Sequence, residues 1–139
     1  MAEPTPRRVT DILQDDPDLS TFNNLLRRSK VIVEIDSDEP FTVFAPTNAA
    51  FDKLPEGAVG KLIADEPRLR EVMFFHVVSG MFPEAELRSL ESVPTLSGAP
   101  ALLECVGHHT YVGGAMIELA DSAAENGFVH TLDTVMFPD

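Results

Sequence analysis

Phe41-Thr42-Val43-Phe44-Ala45-Pro46-Thr47-Asn48-Ala49-Ala50-Phe51 is the stretch on which the fold turns. Phe41 to Ala45 is apolar, aromatic and β-branched, the composition of a buried strand. Pro46 has no N–H to give to a ladder and stops it. Thr47 and Asn48 follow at once, and their side-chain oxygens can accept from the orphan N–H groups of a first helical turn. The spacing predicts a strand that runs straight into a helix over 48–54, closed by Pro55.

Two later stretches have the same decisiveness. Phe74-Phe75-His76-Val77-Val78-Ser79-Gly80 predicts a strand over 75–79 ended by Gly80. Asn126-Gly127-Phe128-Val129-His130-Thr131-Leu132-Asp133-Thr134-Val135-Met136-Phe137-Pro138 predicts a turn at Asn126-Gly127, then a closing strand ended by Pro138. Working outward, residues 1–8 are Pro-rich and polar and read as a flexible segment, which leaves 9–139 as a single domain. Val9 to Leu13 reads as a short helix. Ser20 or Thr21 caps a longer one, with Phe22, Leu25 and Leu26 on one face and Arg27, Arg28 and Lys30 toward its C-terminal dipole. Further helical turns are expected over 58–64, from Pro67 with Leu69, Val72 and Met73 inward, and over 83–87. From Val93 the texture changes to short strands over 93–96, 101–106, 110–112 and 115–119, parted by glycine-bearing turns. Helices crowd the first two-thirds and hairpins fill the rest, so the texture is α+β with a mostly antiparallel sheet.

The net charge of −13, from 23 acidic and 10 basic residues, repels phosphate backbones and anionic lipid, so nucleic acid is not an expected partner. The run Asp36-Ser37-Asp38-Glu39 reads as a solvated acidic loop and lacks a calcium-loop pattern. No stretch is long and apolar enough for a membrane helix, so no membrane insertion is expected. Met1 to Arg8 has no apolar core of a signal peptide. Cys105 is the only cysteine, which rules out an internal disulfide, and its strand context predicts a buried, inert thiol. His108-His109 has no companion spacing for a metal, and no nucleophile elbow or phosphate loop is present. We therefore expect no enzyme, no cofactor and no metal.

The three motif segments, in this order, resemble the fasciclin-like domain family. Thr42 to Phe51 fits that family's first segment throughout. Phe75, His76, Val77, Val78 and Gly80 fit the central one, with Phe75 where Tyr is common. His130, Asp133, Val135 and Pro138 fit the last, with Phe128, Leu132 and Met136 as conservative departures. The resemblance implies a compact, wedge-like antiparallel β-sandwich with several short helices packed along it. It also implies a non-catalytic module for cell adhesion, binding a protein or surface glycan at the cell surface or in the extracellular matrix. We expect a monomer. The candidate partner-binding or motif residues are Thr42, Thr47, Asn48, Phe75, His76, His130 and Asp133. Thr42, Thr47 and Asn48 also read as backbone caps, and the two histidines as buried, hydrogen-bonded rings that together could form a pH-sensitive patch. The integrin-contact pattern attributed to animal relatives needs Ile after the Asp and Tyr before the His. This chain has Thr134 and Phe75 there. The alternative function is a carrier of a small hydrophobic ligand in an apolar groove lined by Met73, Met81, Phe82, Met116 and Phe137.

Overall fold

A computed structural model of the chain describes residues 9–35, 40–124 and 127–137. The flexible segment expected over 1–8, the acidic loop over 36–39, Asn126 and Pro138 lie outside the described residues.

The helices are α1 (Val9–Asp15), α2 (Ser20–Ser29), α3 (Val31–Ile35), α4 (Asn48–Asp52), α5 (Ala58–Ala64), α6 (Glu66–Phe75) and α7 (Glu84–Leu87). The strands are β1 (Phe41–Pro46), β2 (Val77–Ser79), β3 (Ser92–Pro94), β4 (Pro100–Val106), β5 (His109–Val112), β6 (Ala115–Ala124) and β7 (Gly127–Leu132). The helices end at Leu87, so they fall in the first two-thirds, and the α+β class is as expected. The strands make one sheet in the order β2-β1-β7-β6-β5-β4-β3. Five neighbouring pairs are antiparallel. The sheet is thus mostly antiparallel, as expected, and the sixth pair is the exception: β1 and β7 run parallel, from Phe41 opposite Gly127 to Pro46 opposite Leu132. A parallel pair needs a long crossover, and everything between Thr47 and Ala124 supplies it.

The two outer strands nearly meet. Val78 bridges Thr95, and the Leu96 N–H donates to the Val77 carbonyl at 2.9 Å. The sandwich is thus one sheet curled back toward its own edge. All seven strands send a side chain into the enclosed core: Phe44, Val78, Val93, Ala101, Val112, Ile117 and Leu132. A second core lies on the other face of β1, β2 and β7, where Val43, Ala45, Val77 and Val129 meet Phe22, Leu26 and Val72 of the helices. Alternation along β1 feeds both cores, and all six of its residues are buried. That is why the run over 41–46 reads as continuously apolar.

Three local readings are corrected, and one apolar run gains its assignment. Phe75 is the last residue of α6 and β2 starts at Val77, because Leu69, Val72 and Met73 keep the helix docked to its end. The β-branched run at Val31 is helix α3. Lys30 takes the left-handed conformation (φ 65°) that turns the chain from α2 into it. The closing strand stops at Leu132 rather than reaching Phe137. Cys105 is exposed, not buried. It shares a side with Ala101 and Leu103 but lies where β4 runs past the core, and its thiol is 3.8 Å from the Arg88 carbonyl.

Candidate functional site

The corner after β1 is built by two side chains. Thr47 keeps extended backbone and its Oγ1 accepts from the Ala50 N–H at 3.2 Å, an N-cap for α4. Asn48 reaches across to the start of α2. Its Oδ1 accepts from the Thr21 N–H at 3.0 Å, and its Nδ2 donates to the Pro17 carbonyl at 3.0 Å and the Ser20 hydroxyl at 3.1 Å. The residue at the N-cap of α2 is Leu19, which has no side chain to cap with. Ser20 and Thr21, expected as caps, are already inside the helix, and Asn48 supplies the missing acceptor from a distant part of the chain.

Thr42 and His130 clamp one loop residue from two strands. Thr42 is fully buried. Its hydroxyl donates to the Gly80 carbonyl at 2.8 Å and accepts from the Phe82 N–H at 2.9 Å. The Nε2–H of His130, also fully buried, donates to the Phe82 carbonyl at 2.8 Å. The imidazole lies between Phe44 and Phe128, with ring centroids at 5.6 and 6.2 Å. Both main-chain groups of Phe82 are therefore satisfied by motif side chains, which fixes the loop after β2. Met81, beside it, is left 45% exposed.

His76 fastens the tail. Its Nδ1–H donates to the Val72 carbonyl at 2.7 Å, and its Nε2 accepts from the Met136 N–H at 3.0 Å. Only the neutral ring with the proton on Nδ1 can do both. Burial lowers its pKa from 6.5 to about 4, against a smaller upward pull from the Val72 hydrogen bond. The ring packs on Phe22 at 5.5 Å and edge-on to Phe75 at 6.5 Å. The two histidines thus have separate partners and do not form one patch. Phe75 is 4% exposed and packs into the core enclosed by the sheet. Asp133 ends β7: its Oδ1 accepts from the Met116 N–H at 2.9 Å and the Thr134 hydroxyl at 3.0 Å, while its own N–H donates to the Met116 carbonyl at 3.0 Å. A side-chain acceptor replaces the main-chain one, so the ladder stops there. The other carboxylate oxygen lies 3.8 Å from the Lys53 ammonium, an exposed pair of small energetic weight.

Six of the seven candidate residues thus act as fasteners, with Thr42 and His130 meeting at Phe82, while Phe75 packs in the core, and the seven do not converge on one pocket. One of them, Phe75, also borders a half-open cavity of about 530 Å³ against β4, β5, the turn after β5 and the end of α6. Phe75, Leu103 and Phe137 line it with apolar surface, and Glu91, Glu104 and Tyr111 add polar groups. Only Phe75 was singled out as a motif residue. The alternation of Leu102, Glu104 and Val106 on β4 was the available signal, since these outward residues are all exposed. Of the five residues expected to line an apolar groove, Phe137 alone lines this cavity. Met73 is fully buried in the helix-side core. Among the described residues no group of three His, Cys, Asp or Glu side chains is placed to hold a metal ion. None of the described helices is long and apolar enough to cross a membrane.

A family model described as the fasciclin domain matches residues 17–138. The Synechocystis protein sll1735 is 34% identical over 128 residues, covering 92% of this chain and 96% of that protein. Immunogenic protein MPT70 of Mycobacterium tuberculosis is 30% identical, over 99% of this chain and 77% of its own length. Human periostin is also 30% identical, over 94% of this chain, but the match spans only 16% of periostin. Among solved structures, the FAS1 domain pair of the insect cell adhesion molecule fasciclin I superposes with a TM-score of 0.68 at 22% identity, over 86% of this chain and 45% of that one.

Proposed function

The chain belongs to the fasciclin domain family, and we propose that it is a non-catalytic binding module that mediates adhesion at the cell surface or in the extracellular matrix. The observation that carries this reading is the match over residues 17–138, joined to a fold shared with a domain pair from a cell adhesion molecule. Its partner is a protein or a surface glycan, and it acts as a monomer. His76 itself is not available as a general base, because its two ring nitrogens are both engaged by backbone groups and offer no lone pair to a substrate. The motif residues act indirectly. They hold the loop at Met81 and the turn at Asp133 in place, and the groups a partner meets are their exposed neighbours, such as Met81 and Lys53.

Attachment of cells from the source organism to immobilised protein tests the reading. Attachment above that on an albumin-coated surface, competed by soluble protein, is the expected result. Attachment equal to albumin would remove adhesion. A second reading, carriage of a small ligand, is favoured by the cavity beside Tyr111.

A further inference from the structure

From the shape and charge of the cavity beside Tyr111, we infer that it is a binding site for a small organic cation with an apolar body, an alkyl- or arylammonium. This rests on the second reading above and is independent of adhesion. The cavity volume of about 530 Å³ is within the range of small-molecule sites. Leu102, which shares the outward face of β4 with Glu104, and Phe137 offer apolar surface for a hydrocarbon body. Tyr111 stands opposite Glu104 in the β4–β5 register, so the aromatic ring and this carboxylate share a face of the sheet. A ring face and a carboxylate both favour a cation. Gly113 and Gly114 add a stretch of lining with no side chain. A Cβ placed on Gly114 would meet nothing within 4 Å, so that side is open.

The surrounding charge selects the sign of the ligand. No lysine or arginine occurs after Arg88 in the sequence. The Arg88 guanidinium is itself engaged, donating to the Thr110 hydroxyl at 2.9 Å and the Gly107 carbonyl at 2.8 Å. Among the described residues neither Glu91 nor Glu104 has an ion-pair partner. A neutral hydrophobe would leave both carboxylates beside its apolar surface, and an anion would be repelled by them. A cationic head satisfies them while its body covers the aromatic lining.

The chain supplies its own reporter, because Tyr111 is its only tyrosine and it has no tryptophan. Tyrosine emission is followed while hexylammonium, hexanol or hexanoate is added to the full chain. Hexylammonium is expected to give a saturable change, with hexanol and hexanoate each binding at least about fivefold more weakly. The double variant E91Q/E104Q changes two exposed side chains, and its fold is checked by circular dichroism. It is expected to lower hexylammonium affinity by about fivefold and to leave hexanol unchanged. Equal affinity for hexylammonium and hexanol would overturn the assignment. So would an unchanged affinity in the double variant, or no saturable response by about 30 mM, the affinity that a modest ~0.3 kcal/mol per non-hydrogen atom gives a ligand of this size.

Discussion

At the scale of single residues, His76 gives the most specific prediction. The folded protein keeps this ring neutral down to about pH 4, whereas the unfolded chain protonates it near 6.5. Between these values the unfolded state binds the extra proton, so stability falls as pH drops from 6.5 to about 4 and this contribution levels off below. The full window amounts to about 3 kcal/mol. Urea unfolding across pH 4 to 7 should show that slope, and His76→Gln should flatten it. Gly127 gives a second prediction, argued from close approach. A Cβ there would lie 1.6 Å from the Phe41 carbonyl oxygen, across the parallel pair. Gly127→Ala must push β1 and β7 apart and should cost at least about 3 kcal/mol in denaturant unfolding. A loss under about 1 kcal/mol would mean the two strands separate easily. Thr47 was legible in the sequence because a cap acts within three residues of itself. The clamp on Phe82 was not, because Thr42 and His130 act across the sheet on a loop that sequence order keeps apart from both. Cys105 was misread because burial along a strand depends on where the core ends, and composition does not mark that point.

At the scale of elements, the strand-to-helix corner at Pro46 was readable and the start of β2 was not. Phe75, Val77 and Val78 have strand propensity, yet the docking of α6 holds Phe75 in the helix, a case of packing overriding local preference. The same holds for the β-branched start of α3. Helix α2 shows a dependence that no local pattern reveals: its N-terminus is capped by Asn48 of α4. Asn48→Ala should therefore destabilise the protein by about 1 kcal/mol and speed hydrogen exchange at Thr21, a residue it does not neighbour in sequence. Unchanged exchange at Thr21 would show that the cap is not made in solution. The far end of α2 is tied down too, since the Arg70 guanidinium donates to the Ser29 carbonyl and sits 5.3 Å from the Phe74 ring.

At the scale of the whole molecule, the class of fold was legible and its closure was not. Helix and strand periodicity state which elements form, but the register that sets β1 parallel to β7 is settled by contacts between opposite ends of the chain. The motif segments mark that pairing, since they supply both of its strands and the residues that fasten loops to them. The candidate site was only half legible for the same reason. The motif residues stand out in sequence because the fold depends on them, while the cavity beside Tyr111 draws on residues from helix, strands and tail with no common motif. The central claim is that this fold serves adhesion, which requires the chain to be reachable from outside the cell. The direct measurement is protease treatment of intact cells of the source organism, followed by blotting for the protein beside a cytoplasmic marker. The account predicts that the protein is lost while the marker is retained. Full protection of the protein until the cells are lysed would contradict it.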